Sequence, residues 1–260
     1  MESGRHLTVT YRQGDQSYSQ EGLEKINRLF GVSKQGETIA LRLIALLDYI
    51  EDNYRTRPIK IRSGYRSFEE NEKLRRAGKL AGKASLHMDG MAADLQLTIP
   101  LAGRIWKELR DKKCCGVGYY HTNTLHLDTG KPRFWDEKSS KTGTDIAEHN
   151  KHLFLTTDFD LYHSADKILF SFVQVTDYPF GLKEIILIPE SGSSQSVSLF
   201  VAKEGCQLIR DRESTHHLLA PLPEISFKRG RLKALFCQKP FPEMPDEVVS
   251  NPLEFEGGRE

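Results

Sequence analysis

No stretch of this chain stays apolar for the roughly 20 residues that cross a bilayer. The longest apolar run, around Leu41–Ile50, is interrupted by Arg42 and Asp48 and reads as a helix. An excess of one charge is also lacking. Lys and Arg number 37 against 36 Asp and Glu, and a pI near 7.7 removes the basic footprint of a nucleic-acid binder. Cysteine is sparse. The four cysteines form no CxxC pair, which excludes a zinc ribbon. Cys114 and Cys115 are adjacent, a strained arrangement for a bridge. Cys206 and Cys237 can pair in an oxidising compartment; otherwise they serve as small buried hydrophobes. No signal peptide is visible, because Met1-Glu2-Ser3-Gly4-Arg5-His6 leads directly into the strand-like Leu7–Tyr11.

What is present is a concentration of metal-ligand chemistry. The run Ser85-Leu86-His87-Met88-Asp89-Gly90-Met91-Ala92-Ala93-Asp94 is answered downstream by His126-Leu127-Asp128. Two imidazoles and a carboxylate are about what a catalytic zinc needs: three N and O ligands, with a fourth position open for water. The set carries one negative charge, so a bound metal keeps net positive charge and can polarise a carbonyl. Gly90 permits a tight turn between the first two candidate ligands. Asp94-Leu95-Gln96-Leu97 and Leu125-His126-Leu127-Asp128 both alternate as half-buried strands do. In the second, His126 and Asp128 share one face and the leucines the other. The chain has nine His, and most histidines in any protein are surface or satisfied core residues, so the surroundings carry the argument.

With these residues the sequence resembles the zinc D-Ala-D-Ala carboxypeptidases and their murein endopeptidase relatives, the VanY-like and YcbK-like enzymes. That family carries S-x-H-x-x-G-x-A-x-D and a later strand His. Ile61-Arg62-Ser63-Gly64-Tyr65-Arg66-Ser67 is similar to the S-G-Y-R-S segment of the YcbK-like branch. Gly116-Val117-Gly118-Tyr119-Tyr120 is similar to its G-V-G-Y-Y, and His126–Trp135 to its V-H-x-D-T-G-x-x-R-x-W. The resemblance spans about residues 7–136. It implies His87, Asp94 and His126 as ligands of one zinc ion. It also implies that Arg66 lies beside the metal and stabilises the transition state, as a fixed guanidinium can do for an oxyanion; the alternative is an exposed arginine before a helix. Relatives place a Glu three residues before the third ligand, or a His two before it; here Asn123 and Thr124 stand there, and neither can take a proton. Asp128 is then either the general base or the partner that orients a ligand His. Ser85, Tyr119 and His121 are the candidate substrate contacts. His121 departs from the Pro often found there and reads more simply as a loop residue.

The coarse pattern gives an α+β domain: an antiparallel sheet with flanking helices, D-Ala-D-Ala metallopeptidase-like, followed by a small all-β domain. Ser19 can cap a helix over 20–30, a second helix covers 38–53, and Ser67-Phe68-Glu69-Glu70 matches a capping box opening a third that stops near Gly78. Gly78–Ala84 reads as a mobile loop, and Pro100 starts a helix running to about Arg110. The expected organisation is a catalytic domain over 1–136, a linker over 137–149, a β domain over 150–242 and a poorly ordered tail over 243–260. In the β domain, Ile168–Val175, Glu184–Ile188, Val197–Ala202 and Leu232–Cys237 alternate like strands of a sandwich. It shows no catalytic constellation; His216-His217 reads as a loop. It can bind glycan or a partner protein, or serve as packing that shapes the cleft.

The resemblance implies a zinc metallopeptidase that cuts peptide cross-links or stem peptides of peptidoglycan in the periplasm, at the cell envelope or outside the cell. No nucleic acid or membrane span is expected. The rival readings are a non-catalytic envelope-binding protein on a peptidase scaffold, and a D,D-carboxypeptidase.

Overall fold

In a computed structural model, residues 6–14, 17–32, 37–140, 148–163, 166–190 and 195–256 are described. The chain divides into two compact units, Met1–Gly143 and Thr144–Glu260. Part of the linker stretch (141–147), the start of the chain (1–5) and the Ser191-Gly192 turn lie outside the described residues.

Unit 1 is α+β. Helix α1 (Gln20–Phe30) is capped by Ser19, whose hydroxyl accepts from the Gly22 amide, and it ends at Gly31 with φ 89°. Helix α2 (Leu41–Tyr54) buries Leu43, Ile44, Leu47 and Ile50 at helical spacing. Strand β1 (Lys60–Ser63) leads into α3 (Phe68–Arg76), where Ser67 and Glu70 form the expected capping box. Then follow β2 (Ala92–Gln96), α4 (Ile99–Lys112, with Pro100 in its first turn), β3 (Gly116–Tyr119), β4 (Thr124–Asp128) and β5 (Arg133–Asp136). The sheet order is β1-β2-β4-β3-β5.

Two expectations for unit 1 need correction. Leu7–Tyr11 is not a strand; a single bridge between Arg12 and Tyr18 is all that pairs there, and Tyr11 is buried with its hydroxyl donating to Asp48. Its alternation reflects packing of Leu7, Val9 and Tyr11 onto the core. The sheet is also not wholly antiparallel, because β5 runs parallel to β3. Both edges of β4 are occupied, by β2 and β3. The chain leaving β4 adds at the free edge of β3, and the turn after β4 gives it the direction of β3.

Ala93, Leu95, Val117, Leu125 and Leu127 form one face of this sheet and join the core with α2 and α4 residues such as Leu43, Ile50, Ile105 and Leu109. Each such leucine contributes about 1.5–3 kcal/mol by leaving water. Every residue of β4 is buried, so its polar face is covered as well.

Unit 2 is all-β. It comprises β6 (Phe154–Thr157), β7 (Leu161–His163), β8 (Lys167–Val173), β9 (Phe180–Pro189), β10 (Val197–Val201), β11 (Gln207–Ile209), β12 (Leu218–Pro221), β13 (Arg229–Gln238), β14 (Glu247–Val249) and β15 (Leu253–Glu256). One sheet runs β10-β9-β13-β15-β7, with β11 on β9 and β14 on β13; the other runs β12-β8-β6. They share one core that includes Leu155, Phe172, Phe180, Leu187 and Leu232. The stretch expected as a tail is instead structured to Glu256: Leu253 and Phe255 are buried, which their alternation with Glu254 and Glu256 already allows. Cys206 and Cys237 are joined, Cα to Cα 5.7 Å, and Cys114 and Cys115 are also joined.

Candidate metal centre

The polar face of the unit 1 sheet is ordered in cross-strand rows. Ser63 pairs with Asp94, Asp94 with His126, His126 with Gly118 and Gly118 with Trp135. The neighbouring row holds Ala92, Asp128, Gly116 and Arg133. The two glycines are spatial requirements: a Cβ at Gly116 would collide with the Asp128 carboxylate, and one at Gly118 with the Trp135 indole. The alternate glycines of β3 thus open the ground on which two larger side chains lie.

His87 reaches this face from the turn that follows Ser85. Gly90, at φ 64°, passes so close to the Thr38 carbonyl that no side chain fits there. The His87 ring donates from Nδ1 to the Gly64 carbonyl at 2.7 Å, which leaves Nε2 as a lone pair facing Asp94 Oδ1 at 3.5 Å. The Arg66 amide in turn donates to the His87 carbonyl at 3.1 Å. The β1–α3 junction and the His87 turn therefore hold each other. Asp94 Oδ1 also meets His126 Nδ1 at 3.0 Å, while its Oδ2 accepts from Arg66 Nη2 at 2.9 Å. Arg66 Nε is held by Ser63 Oγ at 3.0 Å.

Asp128 stands on the far side of the His126 ring. Its Oδ2 accepts from His126 Nε2 at 3.0 Å and Arg133 Nη2 at 2.8 Å, and its Oδ1 from the Gly130 amide at 3.0 Å. It is fully buried.

These contacts set the protonation states. Burial pushes the His87 imidazole down. For Asp94, burial acts upward, but the charge and hydrogen bonds of His87 and His126 outweigh it and hold the carboxyl well below the usual range. Burial also opposes charge on His126, yet its bonds to Asp128 and Asp94 push it up to about 9. Asp128 is held at about 2, because His126 and Arg133 outweigh its burial. Burial, then the nearby Asp94 charge, raises the Tyr120 phenol, which stays protonated.

His87, Asp94 and His126 bring one ligand atom each within 4.8 Å of the others, and they are the one group among the described residues that could hold a metal ion. The donor set fits zinc: two imidazole nitrogens, one carboxylate, all buried, each ring fixed through its other nitrogen.

Residues 1–135 match the family described as peptidoglycan L,D-endopeptidase MepK. The chain belongs to the MepK family. Its peptidases are zinc metallopeptidases of the VanY-like group. The chain is 31% identical over 139 residues to the peptidoglycan L,D-endopeptidase MepK of Escherichia coli strain K12, covering 52% of this chain and 76% of that protein. The MepK proteins of Escherichia coli O157:H7 and Shigella flexneri match at the same 31% identity over the same shares. No solved structure matches. The MepK match thus covers unit 1, and unit 2 lies beyond it.

The remaining candidates divide. Arg66 lies at Asp94. Tyr119 packs on the opposite face, its ring 6.0 Å from Trp106 of α4. His121 is half-exposed, bonds Asp136 at 3.2 Å and lies against Tyr119, so it stays out of the cluster. Ser85 is half-buried at the entry to the His87 turn. The residues that the motifs contained but sequence reasoning gave no role are Tyr120, whose ring lies 5.2 Å from Trp135, Trp135 itself, 5.6 Å from the His126 ring, and the Gly116, Gly118 and Arg133 that complete the rows. Strand alternation held the signal: Tyr120 has the parity of Gly118, and Tyr119 has the parity of the core Val117.

Proposed function

We propose that this protein is a zinc-dependent endopeptidase that hydrolyses peptide bonds of peptidoglycan, with L,D bonds as the class suggested by the names of its relatives. The observation that carries the reading is one buried His87–Asp94–His126 cluster inside the segment matched to the MepK family. A zinc ion held by His87, Asp94 and His126 would supply Lewis-acid chemistry for hydrolysis of the scissile amide.

The chain's own groups do the rest. Arg66 spends Nε and Nη2 on Ser63 and Asp94, which fixes the guanidinium in place, and its Nη1 makes no hydrogen bond among the described residues. That nitrogen is the donor we assign to the oxyanion. Asp128 is assigned to positioning: it holds His126 by Nε2 and thereby aims Nδ1 at Asp94. A carboxylate held at about 2 and enclosed by three donors is a poor proton acceptor, so we do not assign it the role of general base.

The same enclosure favours a second reading, a non-catalytic peptidoglycan-binding protein, since Asn123 and Thr124 cannot replace a base. Mass-spectrometric analysis of cross-linked muropeptides incubated with the zinc-loaded protein and with His87→Ala separates the two. New fragments from the wild type alone are expected, and their masses name the bond. No fragments from either, with zinc bound to the wild type, would leave the binding reading standing.

A further inference from the structure

Three arginines bear on the polar face of the unit 1 sheet. Arg66 is paired with Asp94 and Arg133 with Asp128. Arg62 is different. Among the described residues it forms no ion pair, and its one side-chain hydrogen bond is from Nη1 to Thr124 Oγ1, at 3.1 Å.

Its placement follows from the strand. The β1–β2 register passes from Ile61↔Leu95 to Ser63↔Asp94, so Arg62 is the extra residue of a bulge. It follows Ile61, which faces the core, and its side chain spans β2 to reach Thr124 of β4. Thr124 lies two residues before His126 on the same face, about 7 Å along the strand. Arg62 itself is exposed. A guanidinium without a carboxylate is thus tethered, open to solvent, one row from the metal ligands.

At the opposite end of the face the arginine already has a carboxylate partner. There Asp128 and Arg133 neutralise each other against Gly116. A peptide laid along the face from the metal site past Thr124 meets Arg62, the arginine of the three that has no carboxylate partner among the described residues. Resting on the peptidase reading above, we propose that Arg62 is a substrate-binding residue that takes a free carboxylate of the peptide, within about two residues of the bond at the metal, since an extended residue spans about 3.3–3.6 Å. The guanidinium fork matches a carboxylate in a bidentate manner, and Thr124 holds one arm so that little side-chain freedom is lost on binding.

The test compares one muropeptide with its stem-peptide carboxylates free and the same muropeptide amidated. Affinity is measured by calorimetry on the zinc-loaded full chain, wild type and Arg62→Gln, and turnover is followed in parallel. The wild type is expected to prefer the free acid, and Arg62→Gln to lose about tenfold in affinity for it with no change for the amide, the scale of one charge-assisted contact. In turnover the loss falls on KM and leaves kcat. Equal affinity of the wild type for acid and amide, or a preference unchanged in Arg62→Gln, overturns the proposal. Retained acid preference without any cleavage overturns the peptidase reading instead and leaves the carboxylate site in place.

Discussion

His126 touches carboxylates on both ring nitrogens, and this doubles the work of a single side chain. Asp94 stands with it in the cluster that could hold a metal, and Asp128 bonds the ring from the other side. Asp128→Asn keeps the shape and removes the charge that holds the ring. Zinc affinity is expected to fall about 10–100-fold, as for other partners of ligand histidines. Competition against a chromophoric chelator reads this directly; unchanged affinity would leave Asp128 without the positioning role. The grouping of His87, Asp94 and His126 was legible, because two strand alternations and the Gly90 turn point them to one face. The sequence left Asp128 with two alternatives, a general base or a partner that orients a ligand His. The alternation put it on the right face, but only the ring orientation shows which nitrogen it takes. Tyr119 was misplaced for a related reason: in a Tyr-Tyr pair, one ring must face the core, and parity with Val117 decides which.

Among elements, β3 is the one that the rest of the site depends on. Its Gly-Val-Gly is a strand, flanked by β4 and β5, with both glycines cleared for larger neighbours. Gly118→Ala is expected to push Trp135 from its place beside His126 and to cost about 1–3 kcal/mol of unit 1 stability, as overpacking does. Thermal unfolding measures it, and tryptophan fluorescence reports the displaced indole. The helices were the most legible elements, since Ser19 and the Ser67–Glu70 box mark their starts chemically. Register was not legible. Neither the bulge at Arg62 nor the parallel pairing of β5 leaves a mark in composition; the second depends on which strand edges are already taken.

At the scale of the whole molecule, protons and metal compete. Without metal, His126 keeps its proton up to about pH 9, against 6.5 in the unfolded chain. Its contribution to apo stability is thus full below pH 6.5 and lost as pH rises through 9. Metal binding must displace that proton. Apparent zinc affinity is therefore expected to rise about tenfold per pH unit from neutrality and to level off near pH 9, with a proton released on binding at pH 7. Calorimetry in buffers of different ionisation enthalpy checks it; a flat profile would contradict the geometry at His126. The β nature of unit 2 was legible from its alternating runs. Its last two strands were not, because Pro, Glu and Gly dominate the local composition and mask the buried Leu253 and Phe255.

Among the described strands, β7 has one neighbour in its sheet, and that neighbour is β15. Residues 161–163 must therefore wait for residues 253–256 before their backbone groups can pair. During synthesis this edge stays open while nearly all of the unit is made, so unit 2 closes late and by a long-range contact, the kind that slows folding. Unit 1 faces no such delay, and its sheet is complete once residue 136 has been added.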